Sequence, residues 1–126
     1  MLSLSMIVRD EEARLGECLA SVQGFADELV VVDTGSTDAT VAIAEAAGAR
    51  VEQISWPGDF APARNQALKF LNGDWVLVLD ADEQLRSEAI PALKALMAQP
   101  DVLVINLLRY EVGAAMAPYS LSLIHI

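Results

Sequence analysis

Apolar runs and helical stripes alternate along the chain, and their order predicts most of its elements. Leu2 to Val8 predicts a strand. Glu11 to Gln23 predicts a helix, because Leu15, Cys18, Leu19 and Val22 recur at the three-to-four spacing of one buried stripe. Gly24 closes it in the position after the last helical residue. Leu29-Val30-Val31-Val32 is continuously apolar and rich in β-branched residues, as in a strand covered on both faces. Thr34 to Thr37 make a turn. Thr37 or Asp38 can cap a helix to about Ala47, with Gly48 ending it. Val51 to Ile54 predicts a short third strand.

Trp56-Pro57-Gly58 predicts a loop. Asp59 can cap the next helix, whose first turn tolerates Pro62, and which runs to about Leu71 with Ala63, Ala67, Phe70 and Leu71 inward. Asn72-Gly73 breaks it, and Trp75 to Leu79 predicts a strand. Ser87 to Ala98 predicts a fourth helix burying Ile90, Leu93, Leu96 and Met97, followed by a strand over Val102 to Leu107. From Gly113 the periodicity is lost. The last apolar stretch, Ser120 to Ile126, fits either an edge strand or a point where a longer protein has been cut. Alternating strands and helices imply an α/β fold: a mostly parallel sheet, Rossmann-like, with helices on both faces.

Composition narrows the function. The chain has 126 residues, 54% of them hydrophobic, which suits one well-cored domain and excludes intrinsic disorder. A formal net charge of −10 argues against nucleic acid or an anionic membrane as a direct partner. The single cysteine, Cys18, forbids an internal disulfide and lies on the apolar stripe of its helix, where core packing is the natural reading. No apolar stretch approaches the roughly 20 residues that span a bilayer, so a soluble cytoplasmic domain is expected, with a membrane-peripheral place left open for an intact protein.

The chemistry gathers at strand ends. Ligands of open α/β sheets bind beyond the carboxyl ends of the strands. There the chain carries Arg9-Asp10-Glu11-Glu12 after the first strand, Asp33 after the second, and Asp80-Ala81-Asp82 after Trp75 to Leu79. Each has a plain alternative: a helix start for the first group, a turn acid for Asp33, a solvated turn for Asp80 and Asp82. Two carboxylates about 4 Å apart repel by about 4 kcal/mol at an effective dielectric of 20, and a hard divalent cation relieves that repulsion. Arg64, near the start of the third helix, is the natural counter-charge for a phosphate. Neither G-x-G-x-x-G nor G-x-x-x-x-G-K-[ST] occurs, which argues against a dinucleotide oxidoreductase or a P-loop enzyme. His125, the single histidine, lies in the tail and gives no support to histidine base chemistry.

Four ordered segments then carry a resemblance: Leu4 to Glu12, Asp27 to Asp38, Asp59 to Asn65, and Asp74 to Glu83. Together they resemble family 2 glycosyltransferases of the GT-A fold, especially lipooligosaccharide β-1,4-glucosyltransferase-like proteins. The resemblance covers residues 1–121, the nucleotide-sugar-binding domain. It implies a metal-dependent enzyme that moves a sugar from a nucleotide-diphosphate sugar, UDP-linked, to a hydroxyl acceptor in glycan or cell-surface polysaccharide synthesis. By the same resemblance Val8, Arg9, Glu11 and Asp33 would line the base and ribose, and Arg64 would contact the nucleotide. Asp80 would face the ribose or the metal with Ala81 beside it, and Asp82 would ligate Mn²⁺ or Mg²⁺. The pattern departs at Asp10, where relatives often carry Asn. Relatives also continue into an acceptor-binding half that takes a glycan or lipid-linked acceptor and supplies the general base. The chain is therefore expected to be truncated, with residues 122–126 a foreign tail and the base beyond residue 126. Self-association through the face so exposed is a further expectation. Two competitors remain: a non-catalytic nucleotide-binding remnant, and a receiver-like signalling domain, which fits poorly because the third strand ends near Gln53-Ile54 without a phosphorylatable aspartate.

Overall fold

A β1 strand at Leu2–Val8 runs through the middle of the molecule, and its alternation divides the core. The computed structural model describes the backbone of residues 1–101, 104–110 and 116–125, with side chains for residues 1–59 and 62–101. Leu2, Leu4, Met6 and Val8 point to one face of the sheet and join the larger apolar cluster. Ile7 packs on the other, against Val30, Val32 and Ala67. Side chains two apart share a face, so one strand feeds both cores.

The sheet has six strands in the order β3-β2-β1-β4-β6-β5. β2 (Glu28–Asp33), β3 (Arg50–Gln53) and β4 (Trp75–Val78) join β1 in a parallel block. Helices α1 (Leu15–Ser21) and α2 (Thr40–Ala46) cover the face of the larger cluster. Helix α3 (Phe60–Leu68) lies on the opposite face, where Ala67 packs against Val30 and Val32. The reason is directional. α1 and α2 carry the chain outward from β1 to β3, whereas α3 carries it back across to β4. A right-handed crossover in the reverse direction must use the other face. The reversal leaves a crevice between β1 and β4 at the strands' carboxyl ends. The α/β sheet with helices on both faces is thus as the sequence predicts. Among the described residues no helix is long and apolar enough to cross a membrane.

Several boundaries and packing assignments differ from expectation. α1 begins at Leu15, not Glu11. Residues 11–14 form a turn whose first two amides reach the start of α2: Glu11 N–H donates to Thr40 Oγ1 at 2.8 Å and Glu12 N–H to an Asp38 carboxylate oxygen at 3.3 Å. α2 starts after Ala39, and Asp38 serves it from one residue further back by accepting the Thr40 N–H at 2.9 Å. α3 stops at Leu68, so Phe70 and Leu71 pack inward from a turn. α4 (Ile90–Met97) follows a 3-10 turn at Ser87–Ala89. Its Leu93 is buried, whereas Leu96 is 37% exposed. At about 100° per residue, Ile90 and Met97 lie to one side of Leu93 and Leu96 to the other, so this short helix buries one flank of its stripe.

The end of the sheet departs most. β5 (Val104–Tyr110) does not pair with β4. β6 (Met116–His125) lies between them, antiparallel to both, so β5 rather than the final apolar stretch forms the edge. Residues 122–125 are the part of β6 that pairs with β4, from Ser122 opposite Val78 to His125 opposite Trp75. Val102, Leu103 and the stretch around Gly113 lie outside the described residues.

Candidate donor-binding cleft

Four loops at the carboxyl edge of the parallel strands converge on one cleft, a cavity of about 400 Å³. Ile7, Val8, Arg9 and Glu11 enter it from the end of β1, Thr34 from the end of β2, and Asp80, Ala81 and Asp82 from beyond β4. Trp56, in the loop after β3, completes the lining. The β1 and β2 ends are locked in register, with Val8 opposite Asp33. Thr34 donates to the Val8 carbonyl through its N–H at 3.0 Å and its hydroxyl at 3.1 Å.

Beyond that lock, side chains of the first loop tie down the second. Asp10 N–H donates to Ser36 Oγ at 2.9 Å, and an Asp10 carboxylate oxygen accepts the Thr37 N–H at 2.8 Å. Glu12 accepts the Ala39 N–H at 3.0 Å. Asp10 sits at φ 52°, a left-handed conformation that Asp and Asn tolerate better than other side-chain-bearing residues. That backbone demand, together with the need for an acceptor oxygen, accounts for either Asp or Asn at this position. Asp38 is drawn below the usual carboxylate range, first by the hydroxyl of Thr40 and then by backbone amides.

Asp80 and Asp82 are exposed and Glu83 is 7% exposed, and all three offer carboxylate oxygens lying within 4.8 Å of one another. The turn that presents them is closed on itself. Asp80 N–H donates to Glu83 Oε1 at 2.7 Å, while Glu83 N–H donates to the Asp80 carbonyl at 3.0 Å. The Cys18 thiol donates to that same carbonyl from below at 3.5 Å and lies 3.8 Å from Met6 Sδ. Arg14, at the start of α1, stands 3.8 Å from an Asp82 carboxylate oxygen. An all-oxygen set of this kind suits a hard divalent cation, which takes one or two carboxylates and leaves its other positions to water or phosphate. The residues present therefore fit such an ion.

Of the residues singled out in the sequence, the fold brings Val8, Arg9, Glu11, Asp80, Ala81 and Asp82 to one cleft. Asp33 is 2% exposed and turns its carboxylate onto its own turn, accepting the N–H groups of Gly35 at 3.2 Å and Ser36 at 3.1 Å and the Ser36 hydroxyl. Arg64 is exposed on α3 and does not line the cavity. Glu83, Trp56 and Thr34 were not singled out. Glu83 follows Asp82 directly, and that adjacency was its available signal. Trp56 lay in an aperiodic loop that offered none.

Burial, reinforced by the charges of Glu83, Asp82 and Asp80, pushes the Cys18 thiol up to about 12. It therefore stays protonated and donating at neutral pH. Folded protein should resist iodoacetamide at pH 8 and label rapidly once unfolded, as intact-mass spectrometry would read. Because the folded-state value is the raised one, the stability this thiol contributes is complete below about pH 9 and falls as pH rises towards about 12.

The chain is similar to several known proteins. A TPR repeat-containing protein of Synechococcus elongatus is 52% identical over 119 residues, a match covering 94% of this chain and 30% of that one. The chain thus spans less than a third of that relative's length. TarS of S. aureus, residues 1–349, superposes with a TM-score of 0.81 at 28% identity, covering 93% of this chain and 38% of that one. Glucosyl-3-phosphoglycerate synthase from Mycobacterium tuberculosis, in complex with Mn²⁺, UDP and glucosyl-3-phosphoglycerate, superposes at 0.66 with 27% identity, covering 82% of this chain and 42% of that one. The family model described as glycosyl transferase family 2 matches residues 3–124, and with nearly the whole length accounted for, the chain belongs to that family.

Proposed function

We propose that this chain is the donor-binding part of a metal-dependent glycosyltransferase that takes a UDP-linked sugar and passes it to a hydroxyl acceptor in glycan or cell-surface polysaccharide synthesis. The observation that carries the reading is the meeting of Asp80, Asp82 and Glu83 at the rim of a cleft whose remaining walls come from β1, β2 and the loop after β3. Support comes from the synthase relative, which was solved with UDP and Mn²⁺.

Asp82 and Asp80 would hold Mn²⁺ or Mg²⁺, and the bound ion would supply Lewis-acid stabilisation of the leaving diphosphate. The chain's own residues supply the frame. Glu83 and Cys18 fix the backbone of Asp80, which orients both aspartates without using their carboxylates. Arg9 brings a positive charge to the cleft wall, where phosphate oxygens favour it. Val8 and Ile7 give that wall an apolar stretch, and the amides of the interlocked loops are held by Asp10 and Glu12. The nucleotide roles of Asp33 and Arg64 belong to the same proposal; Asp33 ends β2 next to Thr34 in the cleft wall, and Arg64 stands on α3 outside the lining.

Isothermal titration of the chain with UDP, in Mn²⁺ and again in EDTA, tests the reading. Saturable binding that needs the metal is expected. Equal binding in EDTA would separate the nucleotide from the carboxylates, and no binding in either condition would leave only the fold.

A further inference from the structure

We propose that Trp56 is the platform on which the nucleobase of the donor stacks, so that the cleft holds its ligand with the base towards β3 and the diphosphate towards β4. This rests on the donor reading above and adds a direction and a residue to it. In the order β3-β2-β1-β4, Trp56 follows β3 and the paired aspartates follow β4, with Thr34 and Val8 between them. Neighbouring strands are about 4.8 Å apart, so three steps separate the two ends by about 14 Å, the scale of an extended nucleoside diphosphate.

The two ends differ in chemistry. Carboxylates repel a bare diphosphate and accept it only through a cation, so the charged part of the ligand belongs beside Asp80 and Asp82. The sugar is joined to that same diphosphate and stays at that end. What remains for the β3 end is the flat, apolar-faced base. Trp56 offers the matching surface: it is 39% exposed and lines the cavity, whereas Trp75 is 4% exposed in the core. An indole standing at a cleft wall can stack on any base, since every base has a π-face.

The test titrates wild type, Trp56→Phe and Trp56→Ala with UDP and with inorganic pyrophosphate, both in Mn²⁺. Trp56→Ala should weaken UDP about tenfold, Trp56→Phe should keep most of the affinity, and pyrophosphate should bind all three alike. UDP should quench tryptophan fluorescence in wild type and leave Trp56→Phe, where only Trp75 reports, nearly unchanged. Unchanged pyrophosphate binding also certifies that the variants are folded. Equal UDP affinity in wild type and Trp56→Ala would overturn the stacking role and leave the donor reading standing. If wild type binds no UDP, both readings fall.

Discussion

Asp82→Ala should weaken Mn²⁺-dependent UDP binding by about 100-fold or more while leaving the fold intact. Removing a group that merely orients a metal ligand typically costs 10- to 100-fold in metal affinity, so losing a carboxylate that binds directly should reach the top of that range. A hundredfold loss corresponds to about 2.7 kcal/mol. The side chain of Asp82 is 39% exposed and stands at the cleft rim, so its removal opens no cavity, and stability should change by no more than about 0.5 kcal/mol. The change also removes the partner of Arg14, 3.8 Å away, whose positive charge then faces the place a cation would occupy. Both consequences act against metal binding. Asp80 and Glu83 remain, but Glu83 Oε1 is already engaged by the Asp80 N–H at 2.7 Å. Binding in EDTA should not change. Undiminished affinity in Mn²⁺ would favour a nucleotide-binding remnant that makes no use of the acidic cluster.

The sequence disclosed this site through strand ends. Trp75 to Val78 is an apolar run on a buried strand, and a parallel sheet delivers whatever follows such a strand to one rim. The same rule placed Val8, Arg9 and Glu11 there. The order of the strands was not legible, because chain order leaves open which neighbour each strand takes; that β4 returns beside β1 is what builds the crevice. β6 was harder still. Its pairing with β5 is local, starting at Tyr110 opposite Met116, but its pairing with β4, from Ser122 opposite Val78 to His125 opposite Trp75, crosses a long sequence separation that no local pattern encodes.

Side-chain direction was the other hidden quantity. Asp33 ends its strand as expected, yet amides that need an acceptor lie two and three residues further along the chain, and its carboxylate turns to them at Gly35 and Ser36. Asp10 was visible as one of three consecutive acids and as a departure from the family pattern. Its left-handed backbone and its bond to Thr37 are tertiary facts, set by the approach of the second loop. Cys18 was correctly read as core, but that its thiol supports the Asp80 carbonyl required knowing that α1 passes beneath the turn after β4. Helical periodicity reports which face is buried, not what lies against it.

Gly73→Ala should destabilise the chain by about 3 kcal/mol, a large share of the roughly 5–15 kcal/mol that holds a domain of this kind together. A Cβ at this position would stand 2.5 Å from Ser3 Oγ, 2.8 Å from Ser3 N and 2.9 Å from the Met1 carbonyl oxygen. Two of those atoms are backbone of the central strand's beginning and cannot swing aside. The third belongs to a buried junction: Ser3 Oγ accepts the Gly73 N–H at 2.8 Å and donates to Glu28 Oε1 at 2.8 Å. Glu28 in turn accepts the Asn72 N–H at 2.9 Å and its side-chain amide at 2.7 Å. Displacing Ser3 would therefore loosen β1, β2 and the turn into β4 together. Thermal unfolding should show a fall on the order of 10 °C. Gly16→Ala is the control with opposite sign. It sits inside α1 with nothing nearer to its added Cβ than Ile43 Cγ2 at 3.8 Å, and should gain up to about 1 kcal/mol from helix propensity. The junction lies at the amino ends of the strands, about 20 Å from the cleft along the length of β1. Protein carrying Gly73→Ala that remains folded at low temperature should accordingly bind UDP and Mn²⁺ as wild type does. A melting temperature unmoved by Gly73→Ala would mean that the turn and β1 do not approach this closely, and the coupling of the three strands through Ser3 would have to be abandoned.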